Sequence, residues 1–172
     1  KIKRIRIIMK LILTILISVF RSSCGIYSFT GASIPSEAKT ITVNYFSNKA
    51  PTVEPSLSQV FTERLKDLFL EQTNMIMSEN EGDLNFSGFI SKYQIKPIAI
   101  KANETAGKNR LTIGIKVIYE NRLDSESNFE NTFSRYRDYD SGQNISDIES
   151  TLIEEITNEL AEDVFNKAFV NW

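Results

Sequence analysis

The strongest pattern in this chain is an apolar stripe near its C-terminal end. Apolar side chains recur there at steps of three and four residues, the spacing that gathers them on one face of an α-helix. They are Ile148, Leu152, Ile153, Ile156, Leu160, Val164, Phe165 and Phe169. Ser146 and Glu149 stand at the start with the spacing of a capping box. A helix with one apolar face has to bury that face against another layer of the fold.

A second stripe predicts another helix in the first half of the chain. Its apolar positions are Leu57, Val60, Phe61, Leu65, Leu68 and Phe69. Ser56 and Gln59 again have the spacing of a capping box, and the pattern ends near residues 72–74. Charged side chains fill the remaining positions, as on a solvated helix face.

Alternating apolar and polar residues predict the strands between and around these helices. The alternation is clearest in KTITVNYF and RLTIGIKVIYENRL, and weaker in residues 75–77 and in NFENTFSRYRDYD. After Leu84 the apolar positions change parity, which predicts a β-bulge or a bend near Ser91 and Lys92. Pro97 indicates a sheet edge. The order of elements predicts an α+β fold, with two helices packed on one face of a mostly antiparallel four- to five-stranded sheet.

The N-terminal segment has the pattern of a secretory signal peptide. Residues 1–23 contain six of the 20 basic residues and no acid, and their apolar run is shorter than the roughly 20 residues of a membrane span. Small residues precede the only cysteine, Cys24, as in the lipobox of bacterial lipoproteins, although Arg21 departs from that pattern. We therefore expect a signal peptide over 1–23, a lipidated tether over 24–38 attached through Cys24, and a single domain over 39–172.

The composition excludes several classes of chemistry. The chain has no histidine, so it cannot form a Ser-His-Asp or Cys-His catalytic arrangement. It lacks the usual zinc ligands and the glycine-rich nucleotide motifs, so we expect no enzyme activity, metal or cofactor. DYDSGQNISDIE loosely resembles a calcium loop, but the position of Gly142 favours a simple strand-to-helix turn.

Beyond residue 23 the chain is acidic, apart from one local cluster of basic residues. Without residues 1–23, acids outnumber bases by eight, which argues against binding to nucleic acid. Basic residues nevertheless concentrate around two long predicted strands. They are Lys92, Lys96, Lys101, Lys108, Arg110 and Lys116. This cluster is either a solvated hairpin or a local site for phosphate groups.

Several segments, in order along the chain, resemble one protein family. They include CGIYSFTGASIP, AKTITVNYFSNKAP, PSLSQVFTERLKDLF, GDLNFSGFISKYQIKPIAI, NRLTIGIKVIYEN, NFENTFSRYRDYDS and LIEEITNELAEDVFNKAFVNW. Together they are similar to the LptE family in its Bacteroidetes-type form, the lipopolysaccharide-assembly lipoproteins of the outer membrane. The resemblance implies an α/β sandwich of two helices and four strands.

The resemblance also implies a function. It implies a non-enzymatic outer-membrane lipoprotein, on the periplasmic side and in a barrel lumen, that plugs the β-barrel partner LptD. The pair would insert lipopolysaccharide into the outer leaflet, with direct binding of lipopolysaccharide by this chain, and the basic cluster is our candidate contact. The alternative is a stand-alone periplasmic lipoprotein that binds an envelope ligand.

Overall fold

The computed structural model describes residues 35, 37–98 and 107–170. The predicted signal peptide, Cys24 and Lys101 lie outside this part of the chain, as does nearly all of the predicted tether. The described strands are β1 (Thr40–Val43), β2 (Ser47–Asn48), β3 (Ile76–Met77), β4 (Leu84–Ile98), β5 (Lys108–Asn121) and β6 (Phe129–Asp140). The helices are α1 (Leu57–Gln72) and α2 (Ile145–Phe169).

These strands form one mixed sheet. Its order is β3-β1-β4-β5-β6, and β2 lies beside β1 along the same edge of β4. The long strands β4, β5 and β6 pair antiparallel, whereas β1 and β2 run parallel to β4 and β3 runs parallel to β1. The α+β class with two helices on one sheet face is confirmed. The sheet has six strands rather than four or five, because Ser47–Asn48, expected to be a loop, adds a short parallel strand.

The predicted bulge is present in β4. Its register against β5 shifts between Ile90 and Lys92, so Ser91 is the extra residue. A short distance before it, Gly88 has φ of 155°, and a Cβ at this position would lie 2.0 Å from the carbonyl oxygen of Lys116. The close approach of two strands therefore requires glycine at this position.

Both predicted capping boxes are wrong. Ser56 precedes α1 in a helical conformation and makes no cap hydrogen bond; its hydroxyl donates to Glu54 instead. The second helix begins at Ile145, one residue before the predicted capping serine, and Asn144 accepts from the Ser146 N–H. Glu149 is not available for a box because its carboxylate accepts a hydrogen bond from the buried Tyr93 hydroxyl.

The core lies between the helices and one face of the sheet. An aromatic cluster forms its centre, with ring centroids 4.6 Å apart for Phe69 and Phe86 and 4.8 Å apart for Phe86 and Tyr119. Phe169, at the end of α2, packs edge-on against Phe69 and Tyr119. Each such buried side chain contributes about 1.5–3 kcal/mol by leaving water. Among the described residues, neither helix combines the length and apolar character needed to cross a membrane.

Candidate functional site

The helix-free face of the sheet gathers five of the six predicted basic residues. Alternate positions of β5 point away from the helices, because the intervening residues, from Leu111 to Tyr119, are buried in the core. Lys108, Arg110 and Lys116 occupy these outward positions. Lys92 and Lys96 join them from β4, where Lys96 is the direct cross-strand partner of Arg110. We call these five residues the basic face.

The bulge is the reason that Lys92 and Lys96 belong to the basic face. Before it, even-numbered residues of β4 such as Phe86 and Ile90 enter the core. After it, the odd-numbered Tyr93 is buried and the even-numbered residues point outward, opposite outward-pointing positions of β5. One extra residue in a strand exchanges its two faces. If Ser91 were instead paired in regular alternation, both lysines would point towards the helices.

Two members of the basic face are paired with acids on β6. Arg110 donates two hydrogen bonds to Asp138, from Nε to Oδ1 at 2.7 Å and from Nη2 to Oδ2 at 2.9 Å. These bonds lower the pKa of the Asp138 carboxyl below its ordinary value. The Arg110 guanidinium also lies 3.7 Å from the centre of the half-exposed Tyr136 ring. Lys116 forms an ion pair with Glu130.

Three lysines of the basic face keep their charge available. Lys92, Lys96 and Lys108 are exposed and form no ion pair with another residue in 35, 37–98 or 107–170. Gly114, the cross-strand partner of Lys92, is buried beside it, and a Cβ at this glycine would lie 3.0 Å from the Lys92 Cβ. Exposed ammonium groups on the outer face of a sheet can contact phosphate or carboxylate groups of a ligand that lies across the strands.

A second charged cluster, not predicted from the sequence, lies on the helix side of β6. Arg137 bridges Glu155 and Glu159 at 2.7 Å and 2.6 Å, and Arg135 binds Asp163 through two bonds of 2.6 Å. The bond from Arg137 lowers the pKa of Glu159. Both arginines are thus occupied by α2, and this cluster fastens the helix to the sheet edge.

The segment that loosely resembles a calcium loop uses its oxygens for other contacts. Asp138 binds Arg110, Asn144 caps α2, and Glu149 accepts from Tyr93. In the described part of the chain, no three side chains of the metal-binding types come together to hold an ion. The turn joins β6 to α2, as the simpler interpretation of the sequence predicts.

The chain is thus an α+β sandwich with basic residues on its outer sheet face, and comparison with known proteins gives its family. Residues 38–168 match the model of the LptE family, described as lipopolysaccharide-assembly. The chain belongs to the LptE family, whose members are lipopolysaccharide-assembly lipoproteins without enzymatic activity. The resemblance identified from the sequence is confirmed. No curated protein sequence matches the chain.

Solved structures share the fold at low sequence identity. A hypothetical protein from Chlamydia trachomatis is 7% identical with a TM-score of 0.52, over 78% of this chain and 99% of that one. A neuraminyllactose-binding hemagglutinin homolog from Helicobacter pylori is 10% identical with a TM-score of 0.51, over 82% and 88%. A minor lipoprotein from Acinetobacter baumannii is 15% identical with a TM-score of 0.49, over 76% and 91%. The first two likenesses indicate a common fold alone.

Proposed function

We propose that this protein is an outer-membrane lipoprotein that plugs an LptD-like β-barrel and helps to insert lipopolysaccharide into the outer leaflet. Membership of the LptE family supports assembly of lipopolysaccharide as its general role. In this proposal Cys24 is the acylated first residue of the mature chain. More than one acyl chain on it would give stable anchoring, at about 0.8 kcal/mol for each buried methylene.

The surface of the domain supports the proposed role as a barrel plug. Barrel interiors are polar, so a plug has to combine a sealed core with a polar exterior. The aromatic core lies between helices and sheet, while the outer faces of α2 and β6 carry charged and polar side chains. The predicted tether from Gly25 to Ala38 would let the domain enter a barrel lumen while its lipid stays in the membrane.

The observation that carries the proposed contact with lipopolysaccharide is the basic face. Lipopolysaccharide is a phosphate-bearing lipid, and Lys92, Lys96 and Lys108 present ammonium groups on one face of the sheet, without an ion pair to any residue that the structure describes. Lysine binds phosphate as a point charge and needs no fixed geometry. In an otherwise acidic domain, this face is the surface that attracts an anionic ligand.

A charge reversal on the basic face tests this contact. The double variant Lys96→Glu with Lys108→Glu should bind lipopolysaccharide roughly tenfold more weakly at constant salt, because two attractions become repulsions. The fold should persist, because both side chains are exposed and Lys96 lies opposite Arg110, where a carboxylate forms a favourable cross-strand pair. Binding is measured by titration with fluorescent lipopolysaccharide.

The matched control has the same change in net charge at other exposed or partly exposed positions. Lys39→Glu with Lys66→Glu alters the N-terminal side of β1 and the α1 surface, away from the basic face. This control should bind like the unaltered protein. Equal weakening in both double variants would mean that net charge alone governs binding, and unchanged binding in the first would remove the basic face from the proposal.

A further inference from the structure

The strand β6 forms a long unpaired edge of the sheet. It pairs with β5 along all of Phe129–Asp140, and with no other described strand. The register is regular throughout, without a bulge. At about 3.4 Å for each residue, this edge is roughly 40 Å long. Strand edges of this length are templates for pairing with another chain unless the sequence protects them.

The backbone of this edge is available for pairing at alternate residues. The Ser141 N–H donates to the carbonyl of Gly107 at 3.0 Å, in register with the β5–β6 ladder. In an antiparallel ladder, successive residues direct their N–H and C=O groups to opposite sides. The odd-numbered residues of β6 therefore bond β5, and the even-numbered ones direct their groups to the open side. These are Glu130, Thr132, Ser134, Tyr136, Asp138 and Asp140, of which the Tyr136 carbonyl already accepts a hydrogen bond from Arg137 Nη1 at 3.1 Å.

The other open edge of the sheet provides a contrast. Beyond Ile90, β4 has no described neighbour on its far side, and this edge contains the bulge, Lys92, Lys96 and Pro97. Lysine, proline and bulges are the features with which natural sheets prevent the addition of a strand. β6 contains none of the three. Its inward-pointing charges, Arg135 and Arg137, are neutralised by acids of α2.

The side chains along the edge indicate the charge of a partner. The residues of β6 that point away from the helices include three acids and no base. Glu130 and Asp138 are already paired with Lys116 and Arg110, so Asp140 is the acid of this row that forms no ion pair with another described residue. A strand paired with β6 would place its side chains directly opposite these groups. Opposite charges and β-branched residues are favourable there.

On these grounds we infer that β6 binds an extended segment of another polypeptide by strand addition, with Lys or Arg opposite Asp140 and β-branched residues opposite Thr132 and Ser134. Main-chain hydrogen bonds supply affinity and the terminal cation supplies register. This inference concerns a different surface from the basic face, and it does not depend on lipopolysaccharide binding.

The test uses the full chain in mild detergent and a synthetic peptide of about nine residues. The peptide has one terminal lysine, to lie opposite Asp140, followed by alternating valine and threonine. It should bind, and on binding it should slow hydrogen exchange at the outward amides of Thr132, Ser134 and Tyr136. The same peptide with alternate backbone nitrogens methylated cannot complete the ladder and should bind at least about tenfold more weakly. A peptide with glutamate in place of the terminal lysine should also bind more weakly.

A variant of the edge provides the matched comparison. Thr132→Pro removes an outward N–H without removing a bond to β5, because proline is tolerated where the N–H faces away from the sheet. It should weaken peptide binding about tenfold, while Thr132→Ala should bind as the unaltered chain does. Equal binding of the methylated and unmethylated peptides to the unaltered chain would overturn the inference, whether or not Thr132→Pro folds. Undiminished peptide binding by a folded Thr132→Pro protein would also overturn the inference.

Discussion

At the scale of single residues, Asp83 joins the start of two parallel strands. Its Oδ2 accepts hydrogen bonds from the Lys39 N–H, the Thr40 N–H and the Thr40 hydroxyl, each at 2.9 Å. The two backbone bonds and then the hydroxyl bond lower the pKa of the Asp83 carboxyl below its ordinary value. β1 has only four residues, so its first contacts with β4 depend strongly on this side chain.

The lowered pKa of Asp83 predicts a pH-dependent contribution to stability. A carboxyl whose pKa is lower in the folded chain stabilises the fold above the unfolded pKa, and this contribution disappears as pH falls through the folded pKa. Asp83→Asn should therefore lower the melting temperature at pH 7, and the difference from the unaltered protein should shrink below about pH 4. Circular dichroism melts across this range measure it. Asp67→Asn, on the exposed side of α1, is the control and should show no such convergence.

At the scale of elements, the bulge in β4 separates a strand that seals the core from one that displays charge. Its first half contributes Leu84, Phe86 and Ile90 to the core, and its second half presents Lys92 and Lys96 outward. The sequence predicted the bulge because the parity of apolar positions changes there. The alternation of apolar and polar residues also assigns the two faces of β5. The basic face was therefore predictable in principle from the sequence.

Deleting Ser91 tests whether the bulge is essential. Ile90 lies opposite Ile115 and Lys92 opposite Gly114, so a strand without Ser91 continues the ladder with Tyr93 still in the core and both lysines still outward. We expect the deletion variant to fold, with a lower melting temperature because the bend that the bulge gives the strand is lost. Ser91→Gly keeps the extra residue and should fold with a similar melting temperature. An unfolded deletion variant would show that the core depends on the bend of the bulge as well as on the alternation of the strand.

The contacts between β6 and α2 were not predicted from the sequence. Arg135 and Arg137 stand two residues apart on a strand, roughly 7 Å, while Glu155, Glu159 and Asp163 stand four residues apart on a helix, roughly 6 Å. The two spacings match, so this signal was present. The pairing still required knowledge that α2 packs beside β6 and not elsewhere. The caps failed for a similar reason, since Tyr93 and Glu54 compete for the groups that local rules assign to the boxes.

At the scale of the whole molecule, the surfaces of the domain differ in character. The helices cover one face of the sheet and close the core. The other face carries three lysines without an ion pair to any described residue, and no described strand covers the outer edge of β6. Short parallel strands, including the unpredicted β2, cover β4 only up to its bulge. Such a domain can hold a ligand on one surface and a protein on another, as the proposed role in barrel assembly requires.

The proposed role predicts which protein accompanies this chain in the membrane. Tagged at its C-terminus and purified from its native envelope in mild detergent, it should bring down a large outer-membrane β-barrel in a fixed ratio. The double variant Lys96→Glu with Lys108→Glu should retain that barrel if lipopolysaccharide and barrel use separate surfaces. Mass spectrometry of the same sample should find Cys24 acylated at the mature N-terminus. Recovery of the acylated protein without a barrel would instead favour a stand-alone lipoprotein, and an unmodified Cys24 would refute the lipid anchor.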